Sequence, residues 1–166
     1  PAFVNRPCGP LMLPPLIAVT FSSLLKLAAF RERLHACADL LLRAGADPNQ
    51  AIQAIGADAR LAALYGAAGL ARDADLVRRL LVAGADPNDG ESLYHAVESP
   101  ECTEALLEAG ARATGSNALF RVLDLDQPLS LELLLRHGGD ANERGPGGVM
   151  TPLLWAIRRR RSVRHV

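Results

Sequence analysis

The chain has 166 residues, 49% of them hydrophobic but only 4% aromatic, so it is long enough to bury a substantial core built mainly from Leu, Ala and Val. The formal net charge is zero, yet all 18 acids and 13 of the bases lie in residues 1–157, while residues 158–166 add five Arg, which leaves an acidic body and a basic tail. Three cysteines, Cys8, Cys37 and Cys102, lack the paired spacings of a zinc site or a disulfide framework, and the apolar stretch from Leu11 to Phe21, broken by Pro14 and Pro15, is too short to cross a bilayer.

The cysteine usage points to a reducing compartment, so the expected location is cytoplasmic. Arg6 precedes an apolar run as in a signal peptide, but no small-residue cleavage site follows it. Basic residues are 17 Arg to one Lys (Lys26), a usage that goes with high-GC bacterial genomes.

In chain order, residues 1–13 read as a lead-in, and PPLIAV at 14–19 opens the first of several similar units. TFSSLLKLAAFRERLHACADLLLRAG, from Thr20 to Gly45, reads as extended helices that close off the N-terminal end, and the unit finishes in LLRAGADPN at 41–49. QAIQAIGADARL at 50–61 is an insertion, expected as an extra helical turn or an enlarged hairpin finger. ALYGAAG at 63–69 then leads to LLVAGADPN at 80–88. SLYHAV at 92–97 leads to LLEAGA at 106–111, and ALFRVL at 118–123 leads to LLRHGGDAN at 134–142. TPLLWAI at 151–157 begins a fifth copy. Recurrence at this spacing predicts a stack of like parts sharing one core, with approximate units 14–49, 50–88, 89–115, 116–142 and an incomplete 143–166.

Each unit reads as two antiparallel helices, because Leu, Ala and the other apolar residues of each phrase favour helix over strand. Gly45, Gly84, Gly110 and Gly138 lie just past the last turn of each second helix, where glycine takes up the left-handed conformation that ends a helix. Ser99 before Pro100 and Glu101 supplies a capping hydroxyl, a first-turn proline and an acid at the positive helix end; Asp126 before Gln127 and Pro128 is read the same way, and Asp73 or Asp75 caps the helix through Leu81. Leu81 and Leu134 are expected to be buried between neighbouring units.

On these phrases the chain resembles the ankyrin repeat family, whose unit joins a TPLHxAA turn and first helix to a second helix ending in LLxxGA. Thr151, Pro152, Leu153 and Ala156 match the first phrase, the LLxxG copies match the second, and the resemblance covers residues 14–166. It implies an all-α fold, an ankyrin-repeat solenoid of stacked helix-turn-helix units. The family's His is replaced by Ile17, Tyr65, Tyr94, Phe120 and Leu154, so apolar packing must stand in for its hydrogen bonds. Only nine residues separate Gly84 from Leu93 and Gly110 from Leu119, against about fourteen in the consensus, so those β-hairpin fingers are expected to be shortened or missing. The fifth unit supplies one helix where the family has two; either the natural chain continues or a partner covers that helix, since the end of a stack needs a polar outer face.

Constellations that carry chemistry are sparse. His95, Glu98 and Cys102 have helical spacing, but Pro100 interrupts them, and His35 and Cys37 diverge on a helix. RGPGGVMTP at 144–152 lacks the lysine of a phosphate loop and reads as a turn. No nucleophile or paired-carboxylate pattern supports catalysis, and neither a cofactor nor a metal is expected. The run Arg158–Arg161 with Arg164 wraps around a helix without interleaved aromatics, which favours an internally paired or solvated run over nucleic-acid binding.

In the family, the positions five and six after the first-helix Leu often line the concave binding face. Here they are Phe21 and Ser22, Gly69 and Leu70, Glu98 and Ser99, Asp124 and Leu125, and Arg158 and Arg159. Leu70, Glu98, Ser99, Asp124, Leu125, Trp155, Arg158 and Arg159 are therefore the candidate partner-binding residues. The resulting expectation is a non-enzymatic protein–protein interaction module for a protein partner, with no membrane and no nucleic acid. The alternatives are the positioning domain of a larger enzyme and a secreted bacterial effector.

Overall fold

The structure, a computed structural model, describes residues 3–54, 56, 58–145 and 147–162. The end of the expected fifth unit, with Arg164, lies outside the described residues, as do Pro1, Ala2, Ile55, Ala57 and Pro146. The first unit holds α1 (Pro15–Thr20), a 3-10 turn (Ser23–Lys26) and α2 (Ala28–Arg43); strands β1 (Ala51–Gln53) and β2 (Arg60–Ala62) follow. Next come α3 (Ala63–Tyr65), which runs on as a π-helical segment (Gly66–Ala71), and α4 (Ala74–Val82). The pairs α5 (Ser92–Ala96) with α6 (Pro100–Glu108) and α7 (Ala118–Leu125) with α8 (Pro128–Arg136) continue the pattern, and α9 (Pro152–Arg158) is the last described helix.

First helices α1, α3, α5, α7 and α9 form one row, each against the next, while α4, α6 and α8 form a second. The core runs unbroken between the rows, from Leu16 and Ile17 through Leu64, Leu76 and Leu80 to Leu106, Leu119 and Leu134. Leu81 departs from expectation: it is half-buried, and its neighbour Leu80 is the fully buried one. Of the two adjacent leucines in each LLxxG phrase, the first of Leu80, Leu106 and Leu134 points straight into the core, and Leu134 is fully buried as expected.

The four glycines end their helices as the sequence implies, with φ between 84° and 96°. At each, the glycine N–H and that of the residue after it bond back to the last turn, as in Gly84 N–H to Leu81 O and Ala85 N–H to Leu80 O, both 3.0 Å. Arg160 at φ 54° closes α9 in the same way without a glycine. Asp73 caps α4 by accepting from Leu76 N–H at 3.0 Å, and Ser99 caps α6. Asp126 does not cap α8: it follows α7 as the left-handed residue, φ 58°, at that helix's C-terminal end, and α8 opens on Pro128 with no side-chain cap.

The insertion at 50–61 forms the enlarged finger rather than a helical turn, with β1 antiparallel to β2 and Ile52 opposite Leu61. Among the described residues, 84–93 and 110–119 contain no strand, in keeping with their short spacing. One more residue separates Leu64 from Gly84 than Leu119 from Gly138. The π-helical segment takes up such an extra residue as a widened turn inside the helix.

The ADPN phrases lock each unit to the next. Asp47 accepts from Asn49 N–H and Asp86 from Asn88 N–H, each at 2.9 Å, in a side-chain-closed turn. The Asn49 amide then donates to Gly84 O (3.0 Å) and its carbonyl accepts from Asp86 N–H (2.7 Å) in the following unit. Asn88 repeats this with Gly110 O and Arg112 N–H, and Thr114 does so through its hydroxyl with Gly138 O and Asp140 N–H. Upstream, Asn5 makes the same pair of bonds to Gly45 O and Asp47 N–H.

Candidate functional site

The row of first helices carries most of the sequence candidates, and their charges are already partnered. Glu98, just after α5, pairs with Arg72 from the preceding unit and with Arg121 of the following one, the latter at 3.2 Å. Arg72 reaches it because the π-helical segment ends with that residue in a left-handed conformation, φ 55°. Asp124 near the end of α7 accepts from the Trp155 indole N–H at 2.9 Å and from Arg159 at 2.6 Å. These pairs link successive units: Glu98 joins Arg72 and Arg121 of the units on either side of it, and Asp124 joins Arg159 of the next.

The arginine run is tied down in the same way. Arg158 and Arg159 lie over the Trp155 ring at 5.6 and 4.9 Å. Arg161 donates to Leu123 O (2.5 Å) and Asp124 O (2.6 Å), closing carbonyls at the end of α7 that its last turn leaves open. Arg158, Arg159 and Arg161 are thus held within the chain, whereas Arg160 is exposed and Arg164 lies outside the described residues.

Other candidates lie differently. Leu70 is exposed on the π-helical segment. Ser99 is buried, its hydroxyl accepting from Cys102 N–H and donating to the Glu101 carboxylate at 3.1 Å. Leu125 is half-buried against the core.

Between α5, α7 and α9 lies a groove of about 350 Å³ walled by Tyr94, Phe120 and Trp155 and edged by Glu91, Arg121 and Asp124. Phe120 and Trp155 meet edge to face at 6.0 Å, and the Arg121 guanidinium stands over Tyr94 at 5.6 Å. Gly145 lets the loop before α9 settle on Phe120: a Cβ there would stand 2.7 Å from the ring. A second depression of similar size lies among Asn88, Leu93, Arg112 and Thr114, where the Asn88 and Thr114 side chains are already used in the bonds between units. The sequence candidates omit Arg72, Tyr94, Phe120 and Arg121. The available signal is the aromatic at the position of the family's His in three successive units.

Tyr65 fills that position one unit earlier, edge to face with His95 at 5.0 Å. Burial pushes its phenol up from the usual value, and the nearby Glu91 charge adds to the effect. Burial likewise raises the Cys102 thiol, opposed by the hydrogen bond to Ser99. His95 pairs with Glu91 at 3.4 Å, Glu98 with its two arginines, and Cys102 is buried in α6, so the trio with helical spacing does not converge. Among the described residues, no three His, Cys, Asp or Glu side chains gather as metal ligands would, and no helix is long and apolar enough to cross a membrane. His35, on α2, is buried with its Nε2 2.8 Å from Asp73, while Cys37 is exposed.

No protein family's sequence pattern matches the chain. No curated protein matches it either. In three dimensions the chain is similar to the crystal structure of the human ASB11 ankyrin repeat domain, with a TM-score of 0.62 and 24% sequence identity over 84% of this chain. The chain spans 65% of the length of that domain. The helix pairs, the glycine turns and this likeness together make the fold an ankyrin-repeat solenoid.

Proposed function

We propose that the chain is a protein-binding module whose recognition surface is the groove between α5, α7 and α9. The observation that carries this reading is the aromatic lining: Tyr94, Phe120 and Trp155 wall one depression of about 350 Å³ on an otherwise aromatic-poor chain. Aromatic side chains offer large contact area at low entropic cost and dominate the energetics of many interfaces. In the ankyrin repeat architecture the first helices line the inside of the curve, so the groove belongs to the concave face.

The ion pairs divide the work. Glu98 is bonded to Arg121 and Asp124 to Arg159, so these side chains are already held and little of their freedom is lost on binding. Affinity then rests on the aromatic walls, while the fixed charges orient the partner. A protein partner is favoured over nucleic acid because Arg158, Arg159 and Arg161 are occupied by Trp155, Asp124 and the α7 carbonyls. The reading assigns no catalytic group.

The test is affinity capture from lysate of the source organism with the parent and with the variant Tyr94→Ala, after both are shown to melt alike. A protein retained by the parent and lost by the variant is the expected result. Retention by both would remove the groove from the interface, and no specific capture would remove the proposal.

A further inference from the structure

The aromatic groove opens into a gap in the row of turns. The finger at 51–62 stands before that gap, and the loop closed by Gly145 N–H to Met150 O at 2.9 Å stands after it. The turns between them, 84–93 and 110–119, carry no strand. The depression of about 350 Å³ among Asn88, Leu93, Arg112 and Thr114 lies in the gap and meets the groove at Gly90 and Ser116, which line both. A segment can therefore reach the groove from the finger side, across two units, without displacing a hairpin.

Charge decides what kind of segment fits. The turns 84–93, 110–119 and 138–150 together hold five acids against two bases, Arg112 and Arg144. Along the groove Arg121 is bonded to Glu98 and Asp124 to Arg159, so those charges offset each other. Glu91 is different: the ion pair described for it is with His95, at 3.4 Å, which is charged only when protonated, and the field of its carboxylate is felt at the Tyr65 phenol. Arg158 lines a neighbouring depression with Val149 and Met150 rather than the groove itself. The aromatic walls suit a cation as well, since the chain's own guanidiniums lie over Tyr94 at 5.6 Å and over Trp155 at 4.9 Å. A separate observation comes from Arg121, whose Nε–H is buried without a hydrogen-bond partner among the described residues. A main-chain carbonyl of an extended segment is a suitable acceptor for it.

We infer that the gap takes a basic linear segment of a partner protein, with an Arg or Lys side chain entering between Tyr94 and Trp155 toward Glu91. The inference deepens the reading of the groove as a recognition surface and rests on it. The cation comes from another protein because the chain's own nearby arginines are held elsewhere. Arg159 is bonded to Asp124, and Arg161 to Leu123 O and Asp124 O at the C-terminal end of α7, whereas the mouth at Gly90 and Ser116 lies at the N-terminal ends of α5 and α7. The acidic turns repel a phosphate backbone and steer a positively charged partner toward the mouth.

The probe is a short blocked peptide of alternating Arg and Ser, compared with the same peptide carrying Glu or Gln in place of Arg. Trp155, the sole tryptophan and a wall of the groove, is the reporter. A saturable change in its emission is expected with the Arg peptide, at an affinity at least about tenfold above that of either other peptide. Glu91→Gln, which keeps the shape and removes the charge, is expected to weaken that binding about threefold or more, and Tyr94→Ala about tenfold, in variants whose melting matches the parent's. If the three peptides bind alike, or the Glu peptide binds most tightly, and all are lost with Tyr94→Ala, the groove stands as a recognition surface and its preference for a base is overturned. Binding of the Arg peptide that Glu91→Gln leaves unchanged also overturns the inference. So does the absence of saturable binding, and capture with the Tyr94→Ala variant then judges the groove by itself. Sedimentation that shows a dimer dissolved by Glu91→Gln would overturn the inference in favour of a second copy.

Discussion

Asn88 makes two bonds that no main-chain ladder could supply, one to Gly110 O and one from Arg112 N–H, and both cross from one unit to the next. Replacing it by Ala leaves a carbonyl and an N–H without that partner, so Asn88→Ala is expected to lower the unfolding free energy by about 1–3 kcal/mol, read by denaturant titration. Asn142→Ala makes the matched control: its side chain bonds nothing described, and its midpoint is expected to stay with the parent's. The thiols give a second prediction at this scale. Cys8 and Cys37 are exposed, whereas Cys102 is buried with its thiol pushed up by that burial, so it stays protonated and covered. A thiol reagent at neutral pH is expected to label Cys8 and Cys37 in the folded protein and to reach Cys102 only after unfolding, with peptide mass mapping as the readout. Cys102 labelled as fast as Cys37 would contradict the packing of α6. Ser99 as a cap was legible because its partners lie within three residues of it. The Asn88 bonds were not, because they join positions 22 and 24 residues apart, which only the register of two stacked units brings together.

At the scale of the element, the glycine turn is the part the sequence states most plainly. A Cβ on Gly110 would meet nothing within 4 Å, so the sole obstacle to a side chain there is its φ of 93°. Gly110→Ala is therefore expected to cost about 1–2 kcal/mol through backbone strain alone, measured as a lowered midpoint with no change in helix content by circular dichroism. Gly69 is a different case: a Cβ there would come within 2.8 Å of His95 Cβ, so that glycine is a spacer letting the π-helical segment approach α5. The insertion at 50–61 suits two forms by sequence, since twelve residues of mixed apolar and small character fit a helical turn or a hairpin. Pairing of Ala51 with Ala62 decides for the hairpin. Asp126 departs from the expected cap for a related reason: an acid two residues before a proline is a common helix start, yet the end of α7 claims it in a left-handed conformation.

For the whole molecule, the main contacts between described elements run within a unit or between neighbouring units, so stability is close to a sum of unit and interface contributions. Leu134 is fully buried in α8 next to α6, and Leu134→Ala is expected to cost about 2–5 kcal/mol. Hydrogen exchange should then show α8 and α9 opening before α4 and α6; uniform loss of protection across all units would argue against a modular stack. The stacking itself was legible from four copies of one phrase. The charged surface was legible in composition but not in arrangement, because Arg72, Glu98 and Arg121 come from three different units and only their convergence turns an apparent acidic zone into a bonded chain.

The locking side chains at Asn49, Asn88 and Thr114 each lie at the end of one unit and grip the turn of the next, as Asn5 of the lead-in grips the turn of the first. A segment running from one such residue to the following one therefore carries both halves of the joint, a grip at its end and a turn to be gripped. In genetic terms it is an interchangeable part: duplication or loss of such a segment restores a matched joint on either side, so changes in the number of units are a more accessible route of variation for this chain than remodelling within one.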